Sequence, residues 1–215
     1  MSYLVTILIA FGVILISMML HELAHGFVAY KLGDDTAKEE GRLTLNPFKH
    51  LDPILSLAMP LLLFLSGGPI FGGAKPVPVD SRKLKHGVWG MAMVAIAGPL
   101  TNFILAFVAF LIGYFTGAFT IGTYNTFYGE LMSNFVLINL GFGIFNLIPI
   151  PPLDGSRVLY AIAPDGVRSI MEGMERWGIV LVLLLVVIAS DFISMLMGGA
   201  MNGVLQAFYF IVGAR

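Results

Sequence analysis

A histidine, a glutamate and a second histidine stand at positions 21, 22 and 25, in His21-Glu22-Leu23-Ala24-His25. On a helix, side chains four residues apart leave the same face, so both imidazoles can reach one metal ion. Glu22 adjoins His21 and can reach a water on that ion. This is the H-E-x-x-H pattern, in which two histidines bind zinc and the glutamate is a general base. The chain has no cysteine, which removes thiolate ligands, iron–sulfur clusters, disulfides and thiol catalysis together. A catalytic zinc takes three protein ligands and keeps a position open, so a third acid or histidine is required from elsewhere. Asp154, in Asn146-Leu147-Ile148-Pro149-Ile150-Pro151-Pro152-Leu153-Asp154-Gly155, is the leading candidate, and Asp191 is its rival. Taken alone, Asp154 reads first as an Asx turn or helix N-cap before Ser156 and Arg157.

The elements that must position these groups are apolar. The chain is 58% hydrophobic and 12% charged, against about 25% charged in a soluble domain. Mean hydropathy is +0.90. The expected class is an all-α polytopic membrane protein, one domain over 1–215. A net charge of −1 gives no case for nucleic-acid binding. The first apolar run, about 3–32, exceeds the roughly 20 residues of a membrane span. It has no basic leader or cleavage site, so it is expected to stay in the mature chain. Further spans are expected at about 88–117 and 127–148, completing a three-helix catalytic core. One or two more should follow, at 177–197 and, shorter, at 200–212. Gly155 to Ala163 suits a short helix stopped by Pro164. The apolar stretch 53–73 contains Pro60, Pro69, Gly67-Gly68 and Gly72-Gly73, which break helices.

Charge supplies the topology. Lys31, Lys38, Arg42, Lys49, Lys75, Arg82, Lys83 and Lys85 fall between the first two spans, and Arg157, Arg168 and Arg176 follow the third. The link 118–126 has neither lysine nor arginine. By the positive-inside rule the N-terminus lies outside the cell membrane and 33–87 and 149–176 lie on the cytoplasmic side. That requires 53–73 to be re-entrant. Non-helical backbone at that depth survives where protein buries it or a wet cavity lines it. Two crossings then separate the histidines from Asp154, which brings both to the cytoplasmic side. Ionisable residues inside an apolar helix cost about 2.5–3.5 kcal/mol each at its centre and mark function. His50, in the basic stretch, is expected to be solvated or interfacial.

The two motifs together, HELAH and NLIPIPPLDG, resemble the site-2 protease family of intramembrane zinc metalloproteases. Gly98-Pro99-Leu100-Thr101-Asn102 is similar to a family feature between them. Gly41 to Pro47 and Ala74 to Val79 resemble its small prokaryotic branch without PDZ or CBS modules. The resemblance implies that His21, His25 and Asp154 bind one zinc ion and that Glu22 is the base. It implies that Asn146, and with weaker warrant Asn102, bind the substrate backbone or oxyanion; interhelical hydrogen bonding is the alternative for both. It also implies an extended element near 72–79 that pairs with an unwound substrate, and 67–79 suits a gate for water. The implied partners are the lipid bilayer and a membrane-spanning protein substrate. A divalent-metal transporter or a non-catalytic metal-binding membrane protein would also place His and Asp at membrane depth.

Overall fold

The computed structural model describes residues 2–53 and 74–214, and every regular element among them is helical. The re-entrant element expected over 53–73 lies, from residue 54 on, outside the described residues. Helix α1, Tyr3–Lys31, is 29 residues of apolar sequence without proline. It stops where Gly33 takes a left-handed φ of 106°, a conformation that favours glycine. There the Asp34 N–H donates to Ala29 O and the Gly33 N–H to Tyr30 O, the two bonds of a Schellman cap. Helix α2, Thr36–Glu39, and a 3₁₀ turn, Pro47–His50, follow. Helix α3, Val88–Phe115, returns antiparallel to α1: the Lys85 N–H before it donates to Leu32 O at 2.8 Å. Both α1 and α3 are long and apolar enough to cross a membrane.

Helix α4, Phe127–Asn146, starts under Thr126, whose Oγ1 accepts from the Gly129 N–H. It packs on α3 and α1. Small buried residues on α3 (Ala92, Ala95, Gly98, Ala106, Ala109) permit the close approach. A loop carrying the cis Pro151–Pro152 bond leads to α5, Asp154–Ile162, which lies against α3. Helix α6, Asp165–Glu175, was not anticipated. The expected short helix before Pro164 is α5.

The expected span 177–197 is not one helix. Helix α7, Gly178–Ile188, ends at Ala189, and α8, Ser190–Ile211, begins afresh. The reason lies in Asp191. In the middle of an apolar span its carboxylate would be costly; in the first turn of α8 it meets the positive end of the helix dipole. Eleven residues of α7 rise about 16 Å, half a bilayer core. Phe208 of α8 packs with Phe110, Val136 and Leu140 in the core between α3 and α4.

Candidate metal centre

His21 and His25 are buried on the α1 face that meets α3. Each ring is anchored from behind. The His21 Nδ1–H donates to Asn102 Oδ1 at 2.6 Å, and the His25 Nδ1–H donates to Val94 O at 2.7 Å. In the neutral rings an acceptor behind each Nδ1 fixes the tautomer and leaves both Nε2 atoms with lone pairs. Those two lone pairs face each other at 3.0 Å. Gly98 makes the room. A Cβ at 98 would stand 2.4 Å from His25 Nε2 and 2.6 Å from His21 Nε2, so any side chain there would displace both rings.

Asp154 enters from α5. It does not cap that helix: Leu153 occupies the N-cap position and no side chain caps it. Asp154 Oδ2 instead lies 3.2 Å from His21 Nε2 and 3.4 Å from His25 Nε2. Gly155 allows this approach, because a Cβ there would meet Leu147 O at 2.1 Å. The carboxylate oxygen is buried and has no hydrogen-bond donor. Three acceptor atoms thus converge without a donor among them. A proton on one nitrogen serves one of these contacts, whereas a dication serves all three. Ligands about 2.0–2.1 Å from a tetrahedral zinc stand about 3.3 Å apart. The observed separations of 3.0, 3.2 and 3.4 Å fit that ion. Asp191 lies exposed in the first turn of α8 and is not in the group formed by His21, His25 and Asp154.

Glu22 is half-buried beside His21, and its Oε2 accepts from the Val77 N–H at 2.8 Å. The segment carrying Val77, Ala74 to Asp80, has no regular secondary structure. It is held at its ends. Arg42 Nη2 donates to Lys75 O, the Lys75 N–H to His50 O, and the Asp80 N–H to buried Asp34 Oδ2. Val77 rests on Gly26, where a Cβ would stand 2.9 Å from its Cγ1. His50 is therefore not solvated. It is buried, and its Nε2–H donates to Thr44 O at 2.9 Å. A loop that must support the 74–80 segment takes its polar groups inward.

Residues 123–190, which include Asn146 and Asp154, match the model of peptidase family M50. The "Putative zinc metalloprotease YwhC" of Bacillus subtilis (strain 168) is 42% identical over 190 residues, 87% of this chain and 81% of that protein. The chain belongs to peptidase family M50. The "Putative zinc metalloprotease Rip2" of Mycolicibacterium smegmatis is 31% identical over 189 residues, 87% of this chain and 70% of that protein. The "Zinc metalloprotease MJ0392" of Methanocaldococcus jannaschii is 32% identical over 154 residues, 72% of this chain and 34% of that protein. No solved structure matches the chain. This M50 membership agrees with the site-2 protease resemblance of the motifs and with zinc as the cofactor.

Within this M50 chain the two asparagines occupy different settings. Asn102 is fully buried with both ends of its carboxamide engaged: Oδ1 accepts from His21 and Nδ2 donates to Asn139 Oδ1 at 2.8 Å. It faces His21 and not an open site. Asn146, the last residue of α4, is half-buried, and its Nδ2 donates to Phe142 O one turn back. Sequence reasoning missed Asn139 and Ser17. Asn139 Nδ2 donates to Ser17 Oγ at 2.8 Å and to Phe135 O at 2.9 Å. Ser17, Asn102 and Asn139 are all fully buried and join α1, α3 and α4 behind His21. The available signal was one position: Ser17 stands four residues before His21, on the same face of α1.

Proposed function

We propose that this chain is a single-domain intramembrane zinc endopeptidase, with His21, His25 and Asp154 as ligands and Glu22 as general base. The observation that carries the reading is the convergence of three acceptor atoms at the spacing of a zinc coordination sphere, one residue from Glu22. When bound, zinc would polarise the scissile carbonyl and make a water acidic enough to ionise near pH 7. Glu22 takes the proton of that water and delivers it to the leaving amine. His21 and His25 stay oriented through their Nδ1–H bonds. Asn102 holds His21 in position. Asn146 gives up its bond to Phe142 O and turns its carboxamide to the substrate backbone.

Depth supports the intramembrane part. His25 lies six residues before the end of α1, about 9 Å, and Gly98 ten residues into α3, about 15 Å. Both helices are longer than a hydrocarbon core of about 30 Å, and these distances support a centre inside the membrane toward one surface. The basic residues between α1 and α3 cluster at that same end, which supports a cytoplasmic site and an outside N-terminus. The substrate class is a membrane-spanning protein whose helix unwinds at the scissile bond, as in regulated intramembrane proteolysis.

Glu22→Gln tests the reading in detergent-purified protein and in membranes. One zinc per chain by elemental analysis, with loss of cleavage of a co-expressed single-pass substrate, is expected. Cleavage that survives this substitution would exclude Glu22 as the base. Zinc flux into proteoliposomes would support a transporter instead.

A further inference from the structure

Helix α6 leaves part of its apolar face uncovered by protein. Val167, Ile170, Met171 and Met174 recur at the spacing of one helical face. In an aqueous setting that face would pack on the protein and the charged face would meet solvent. Here Arg168, Glu172 and Glu175 reach across to α5, with Arg168 and Glu175 half-buried and Glu172 exposed. Glu172 Oε1 accepts from Tyr160 OH at 2.6 Å, and Glu175 pairs with Arg157. Arg168 donates through Nε to Tyr160 O and through Nη2 to Ala161 O. All of these partners belong to α5. Of the apolar face, only Met171 is buried. Ile170 is 64% exposed and Val167 38%.

The exposed face is continuous with more apolar surface. Trp177, 64% exposed, joins α6 to α7, where Val180, Leu184, Val187 and Ile188 are exposed in turn. Before α6, Ile162 is 66% exposed. Arg176 and Trp177 stand together at the junction, the pairing of cation and indole that marks a membrane–water interface. An amphipathic helix of this kind lies in the plane of the interface with its apolar side in the headgroup–acyl boundary.

We infer that α6 lies on the lipid surface, with Val167, Ile170, Met174 and Trp177 in the bilayer and Asp165, Ser169 and Arg176 in water. The docking has a consequence that rests on the zinc reading. The side chains of α6 pin it to α5, and α5 begins with Asp154. The lipid contact of α6 thereby adds a second tie to α5, whose position against the histidines of α1 is held chiefly by its packing on α3.

The chain has no cysteine, so each introduced cysteine carries a unique spin label. The full chain goes into phosphatidylcholine vesicles containing phosphatidylglycerol, labelled in turn at Val167→Cys, Ser169→Cys, Ile170→Cys and Met174→Cys. Oxygen and a water-soluble nickel chelate then compete for each label. Oxygen preference at 167, 170 and 174, with chelate preference at 169, is expected. Chelate preference at 170 would overturn the docking in favour of a solvated face. Shielding of 170 from both reagents would overturn it in favour of cover by protein. A second readout needs no label. In a Trp89→Phe background, Trp177 is the remaining tryptophan, and its fluorescence should be quenched by lipids brominated near the headgroup. Absence of quenching counts against the docking. Neither readout depends on cleavage, so a failure of the zinc reading and a failure of the docking are distinguishable.

Discussion

The two sides of the metal centre are held by different means. On the α1 side, each imidazole is tied from behind, and His21 is tied through Asn102 and Asn139 to Ser17, all in the buried heart of three helices. On the other side, Asp154 Oδ2 has no protein donor, and Glu22 is steadied by one N–H from an irregular segment. The histidine side is preorganised by protein, at the cost of burying polar groups that only one another can satisfy. The carboxylate side is left for ion, water and substrate to complete. On the proposed reading the histidines are ligands that must not move, whereas Glu22 is a base that must exchange protons and whose surroundings must admit a substrate.

The sharpest break in this contrast is Asp154→Asn. The carboxamide can donate to a histidine Nε2, so the metal-free protein should melt no lower than wild type, while zinc content and cleavage fall to background. Zinc retention at one per chain would remove Asp154 from the ligand set. Next is Asn102→Leu, which strands the His21 Nδ1–H. Loss of such an outer partner costs about 10–100-fold in metal affinity, read by competition with a chromophoric chelator. Asn102→Asp restores an acceptor and should recover part of that affinity; an equal loss in both variants would mean a packing role alone.

Val77→Pro addresses the other side. It removes the N–H that Glu22 accepts and leaves the histidines untouched. Hydrogen bonds to charged groups contribute about 1.5–3 kcal/mol, and kcat should fall by about tenfold or more at unchanged zinc content. A parallel loss of zinc would show that the two sides are not independent. The smallest effect is expected from Ser17→Ala, because Asn139 keeps its bond to Phe135 O. Interhelical hydrogen bonds in membranes average about 0.6 kcal/mol, so zinc affinity should shift no more than about threefold.

Much of this was readable from residue types and spacing. Four-residue spacing put His21 and His25 on one face, and counting crossings brought Asp154 to them. The missed parts share one cause. Ser17 and Asn139 are single polar residues in apolar runs, and only their partners distinguish a network from isolated substitutions. Gly98 reads as a helix weakness until two imidazoles are seen where its side chain would be. Helix α6 had its signal in Val167, Ile170, Met171 and Met174, but Gly166, Gly173 and alternating charge hid the period. The single span drawn through 177–197 failed because hydropathy averaged over Asp191, whereas a helix N-terminus singles it out.

By itself the sequence determined an apolar, cysteine-free helical chain with a metal-binding face on its first helix, because composition and period are local properties of the chain. It also favoured Asp154 over Asp191 as the third group, on a topology drawn from the distribution of charge. Tertiary structure alone decided which nitrogen of each histidine is turned to Asp154, which asparagine faces His21, and what holds Glu22. Those are questions of hydrogen-bond partnership between residues as many as 122 positions apart. No local pattern encodes them, because each buried donor finds its acceptor only when the helices have packed.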